Sequence, residues 1–86
     1  MKWHEVREHF PHQWLLVEAT KAHSVDDRRV VDDLAVVDRF PDGQSAMRGY
    51  SDLHRDDPLR ELYVLHTDRE TLEITELRWL GLREAP

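Results

Sequence analysis

The apolar positions along the chain fall into six groups, and their spacing predicts the order helix, strand, strand, helix, strand, strand. In residues 3–10, WHEVREHF, the apolar Trp3, Val6 and Phe10 recur at helical spacing among charged and polar neighbours. Pro11 disfavours helix at the residue before it and ends the element. A first strand is predicted over 14–22, with Leu15, Val17 and Ala19 on one parity and Trp14, Leu16, Glu18 and Thr20 on the other. A second is predicted over 29–40, where Leu34, Val36 and Phe40 share one parity and Val31, Ala35 and Val37 the other. The central Asp32–Asp33 pair breaks the alternation and predicts a bulge or bend.

Pro41, Asp42 and Gly43 are turn residues by fixed φ, side-chain acceptor and backbone freedom respectively. Ser45 is the expected N-cap of a helix reaching His54 or Arg55, which Gly49 weakens by about 1 kcal/mol relative to Ala. Pro58 closes that helix. Two strands over 61–67 and 72–80 flank the polar run DRET and read as a second hairpin.

This order implies one small α+β domain over residues 1–86: a short N-terminal helix, then β-β-α-β-β, with a four-stranded, mostly antiparallel sheet and one long helix on one face. With the third strand beside the first the sheet is all antiparallel. With the fourth beside the first the order is β-grasp-like, with a parallel central pair. Both parities of the first and third strands are apolar, so the face away from the long helix also needs cover. The Trp14, Leu16 and Trp79 side is assigned to that second face, covered by the N-terminal helix through Trp3 and Phe10 or by a second subunit. These five residues are the candidate interaction face.

Charge narrows the function. Eighteen acidic against twelve basic side chains give a net charge of −6, with no basic block, which disfavours nucleic-acid binding. The absence of cysteine excludes disulfides, thiolate metal sites and cysteine nucleophiles, and fits a cytoplasmic location. No apolar run is long enough to span a bilayer, so no membrane role is expected.

The candidate chemistry is thin. Glu18 is a lone carboxylate inside an apolar strand; its expected role is ion pairing with Arg60 or Arg78 on the face opposite the long helix, and its alternative role is a catalytic acid. His54, His66 and Asp68 are two imidazoles and a carboxylate of the types that acid–base or metal chemistry uses. The H-E-x-x-H zinc motif, a G-x-S-x-G nucleophile and a glycine-rich phosphate loop are all absent, so no metal or cofactor is implied.

At FPHQWLLVEA, DGQSAMRGYSDLH, RELYVLHTDRE and WLGLR the chain resembles a family of small uncharacterised bacterial proteins with the pattern W-x-x-x-E-A, D-G-x-x-A, R-E-x-Y-x-x-H-T and W-x-G-x-R. The matching positions include Trp14, Glu18, Asp42, Tyr50, His54, His66 and Trp79, a mixture that locates no site. The resemblance implies a retropepsin-like aspartic protease, encoded nearby, as a candidate partner. The expected function is a non-catalytic protein-interaction or accessory module, homodimeric or bound to another protein. The alternative is a small hydrolase or metal-dependent enzyme using Glu18, His54, His66 or Asp68.

Overall fold

The computed structural model describes residues 1–72 and the backbone of 74–75. The elements are α1 (Trp3–His9), β1 (Trp14–Val25), β2 (Arg28–Phe40), α2 (Gly43–Asp56), β3 (Leu62–His66) and a two-residue β4 (Ile74–Thr75). The fold is α+β, as expected. β3, β1 and β2 form an antiparallel sheet with β1 in the centre, and β4 adds to the far side of β2 at Arg28 and Arg29.

β1 and β2 are longer than the apolar pattern predicts, because polar residues at their far ends pair across the hairpin from Ala22–Val31 to Val25–Arg28. Asp26 and Asp27 make the two-residue turn, and Asp26 sits at φ 56°. Positive φ at the first central residue belongs to the mirror-image turns that match strand twist.

The predicted bulge is present, and it is one of three. The pairing shifts between Leu16 and Val17, between Ala19 and Lys21, and between Lys21 and Ala22, which leaves Val37, Thr20 and Asp32 as the extra residues. The first shift splits the predicted parity of β2. Leu34 and Val36 join the core on one face, while Phe40, paired with Trp14, lies on the other.

The two helices sit on opposite faces from those expected. Val6 of α1 is fully buried with Leu15, Val17, Leu34, Tyr63 and Leu65, and Trp3 and Phe10 pack around that cluster. α2 lies on the Trp14 and Leu16 face, where Gly43 abuts the Trp14 ring and Gly49 the Phe40 ring. The reason lies in those glycines: only a helix surface without Cβ atoms can approach two large rings this closely. Ala46 of α2 is fully buried, and Leu16 and Leu62 are almost so.

Asp42, not Ser45, caps α2. Its backbone is extended (φ −152°, ψ 168°), and its carboxylate accepts the Ser45 N–H at 2.7 Å. Among the described residues the second expected hairpin is not formed: Ile74 and Thr75 pair with β2, not with β3. The Arg7 guanidinium donates to the Thr67 carbonyl at 2.8 Å and the Trp3 indole to the Arg69 carbonyl at 2.9 Å. These bonds draw the chain across the α1 side, where Leu72 packs on the core, and on to β2. The rest of the predicted 72–80 strand, with Arg78 and Trp79, lies outside the described residues.

Candidate functional site

At the end of the sheet where β1 begins and β2 and β3 finish, the described residues form an open cleft of about 510 Å³. Trp14, Phe40 and Pro41 give it apolar walls; His12, Gln13, Arg39 and His66 give it polar groups. The walls are held from behind by α2: a Cβ at Gly43 would stand 3.2 Å from Trp14, and one at Gly49 only 2.5 Å from Phe40.

The polar groups are oriented by short local bonds. His66 packs edge-on against Trp14, with centroids 5.1 Å apart and planes at 77°. Its Nδ1 accepts the Asp68 backbone N–H at 3.1 Å, which puts the proton of the neutral ring on Nε2. His12 Nδ1 donates to Asp68 Oδ1 at 2.6 Å, so this carboxylate is engaged outside the cleft lining. Gln13 is fixed through its backbone: its N–H donates to Thr67 Oγ1 at 2.9 Å and its carbonyl accepts the Thr67 N–H at 3.0 Å.

Of the four candidate catalytic residues, the fold brings His66 and Asp68 together and leaves the other two apart. Glu18 lies four residues along β1 from Trp14, roughly 13 Å at the usual strand rise. Its carboxylate receives both the Nε and an Nη of Arg60, at 3.1 and 2.6 Å. The expected partner is therefore found, although on the α2 face. This contact holds the Arg60 guanidinium above its ordinary range. His54 stacks on Tyr50 one helical turn away, centroids 5.5 Å apart and planes within 7°. Among the described residues no group of three histidines and carboxylates is placed to hold a metal ion.

The candidate interaction face is not one face. Trp3 and Phe10 pack into the α1 side, Leu16 is buried beneath α2, and Trp14 is half-buried at the cleft. Trp79 lies outside the described residues. His12 was not singled out with Asp68, because the two are 56 positions apart and only the Thr67–Gln13 pairing joins them. A further pair the pattern did not announce is Glu61 with Arg29: the guanidinium donates to both carboxylate oxygens at 2.9 and 2.7 Å, and the Tyr63 hydroxyl adds a bond at 2.6 Å.

The outer side of β1 is covered unevenly. β3 pairs with it from Trp14 to Glu18, and the last bond is the Ala19 N–H to the Glu61 carbonyl at 2.9 Å. Beyond that point, no strand among the described residues pairs with the outer side of residues 20–25. All of these except Ala22 are exposed. No described helix is long and apolar enough to cross a membrane. No protein-family model, curated protein or solved structure matches the chain.

Proposed function

We propose that the protein is a non-catalytic interaction module that pairs with a second copy of itself through the open stretch of β1. The observation that carries this reading is the exposed edge at 20–25. In a two-residue hairpin the residues flanking the turn exchange hydrogen bonds, so Val25 and His23 face β2 and the backbone groups of Ala22 and Ser24 point outward. Antiparallel pairing about a two-fold axis at His23 sets Ala22 of each copy against Ser24 of the other, the register in which outward-directed backbone groups of the two strands meet. Lys21 then opposes Val25, which is half exposed at 50%. No acid stands on this edge although the chain carries a charge of −6, so two copies meet there without carboxylate repulsion.

The catalytic alternative draws less support: Glu18 is paired with Arg60, His54 is stacked on Tyr50, and among the described residues the cleft is lined by no serine, threonine or carboxylate. Size-exclusion chromatography with light scattering, from about 10 to 500 µM, tests the proposal. A dimer is expected, and Ala22→Pro, which removes an outward N–H while leaving the β2 ladder bonds, shifts it to monomer with an unchanged far-ultraviolet spectrum. A wild-type monomer over the whole range, or a dimer indifferent to Ala22→Pro, overturns self-pairing. A monomer that binds a retropepsin-like protease through the same edge would put that partner in its place.

A further inference from the structure

We infer that the His23 imidazoles of two edge-paired copies share one divalent transition-metal ion of the zinc class, a site that rests on the self-pairing proposed above. In each copy the His23 Nδ1 lies 2.8 Å from Asp32 Oδ2 on the neighbouring β2. A carboxylate can only accept, so Nδ1 donates and the neutral ring keeps its lone pair on Nε2. Metal-ligating imidazoles share this arrangement: one nitrogen held by a carboxylate, the other bare. The His23 Nε2 has no hydrogen-bond partner among the described residues, and the side chain is 55% exposed. Because Nδ1 is turned toward β2, Nε2 on the far side of the ring is turned away from it, toward the open edge.

One copy supplies one such nitrogen, and symmetry supplies the second. From Ala22–Val31 to Val25–Arg28 the ladder runs without a shift, so this end of β1 is regular strand. With the axis at His23, that residue meets its own copy at a non-hydrogen-bonded position, where Cα atoms lie about 4.5 Å apart and side chains come closest. An axis normal to the sheet leaves both rings on one face. Their Cβ atoms are then roughly 4.5–5.5 Å apart. Two nitrogens, each about 2.0–2.1 Å from one tetrahedral zinc, stand roughly 3.4 Å apart, so the rings need only lean together. Imidazole donors suit zinc, copper or nickel, whereas magnesium takes oxygen ligands. Water completes the coordination. The charge of −6 on each chain favours a cation at the junction.

Zinc chloride is the probe, with magnesium chloride as the control, on the full chain after treatment with a chelator. Isothermal titration calorimetry reads the stoichiometry and light scattering the dimer. One zinc per two chains is expected, with a dimer tightened about tenfold or more by zinc and not by magnesium. His23→Gln, an exposed substitution whose fold circular dichroism verifies, should keep the metal-free dimer, which backbone bonds hold, and lose the tightening. His12→Gln, whose ring also meets a carboxylate but away from the edge, should retain it. Ala22→Pro should bind zinc about tenfold more weakly or worse, since its copies no longer pair. One zinc per chain, a dimer that zinc does not tighten, a His23→Gln variant that still responds, or full zinc affinity in Ala22→Pro would each overturn the shared site while a metal-free dimer leaves self-pairing standing. Monomers with and without zinc would overturn both.

Discussion

Replacing Gly49 by alanine should destabilise this protein, although in an exposed helix interior the same change stabilises. The helical gain is about 1 kcal/mol. Against it stands the new methyl group, 2.5 Å from Phe40 Cζ and 3.0 Å from Cε1. Carbon atoms pack best at roughly 3.5–4.0 Å, so the ring must retreat by about 1 Å or more. Overpacking of this kind costs about 1–3 kcal/mol, which leaves a net loss of about 1 kcal/mol. For a domain of this size that is a melting point lower by about 4–8 °C. Thermal and urea unfolding followed by circular dichroism should be run on the wild type, Gly49→Ala, Phe40→Ala and the double variant. With Phe40 truncated, Gly49→Ala should regain its ordinary sign and stabilise by about 1 kcal/mol, a coupling of about 2 kcal/mol between the two positions. If Gly49→Ala alone raises the midpoint, and Phe40→Ala does not alter its effect, the close seating of ring on helix is wrong.

Arg60→Gln should lower the urea midpoint because it strands the half-buried Glu18 carboxylate, whereas Arg55→Gln, which breaks the exposed 3.0 Å pair with Asp52, should not move it measurably. The Ser45 N–H holds the Asp42 carboxyl below the usual range, so its stabilisation is complete above about pH 4 and is lost as pH falls through the lowered value; the midpoint gap to Asp42→Ala should be constant at neutral pH and close on acidification. Asp26→Val should cost about 1–2 kcal/mol in urea unfolding, because a branched residue meets φ 56° with a steric penalty, while Asp26→Gly should be neutral or stabilising.

Local signals carried the reading of the elements. The Pro11 and Pro58 boundaries, the disturbance at Asp32–Asp33 and the Glu18–Arg60 pair all follow from residue chemistry a short reach away in the chain or across one strand pair. Face assignment was not legible, because parity counts assume an unbroken ladder. Val37 interrupts it, so Phe40 departs from the face of Leu34 and Val36 although all three are even-numbered. The second hairpin was misread for a different reason: the path after His66 is set by Arg7 and Trp3, some sixty positions upstream, and no turn signature reports such a contact. The cleft was half legible. His66 and Trp14 were marked, but Arg39 and Gln13 are ordinary polar residues until three strand ends place them together.

The three unmatched residues in the ladder also bear on how this chain can change in length. Removing Val37 would make Val36 and Asp38 neighbours, and their partners Val17 and Leu16 already are neighbours, so every side chain on either side would keep its face. The same holds for Thr20 and Asp32. Elsewhere in these strands a one-residue deletion would turn the core outward. A relative shorter by one residue at any of these three places should therefore retain both helix-covered layers, and alignments of such relatives should gather their gaps there.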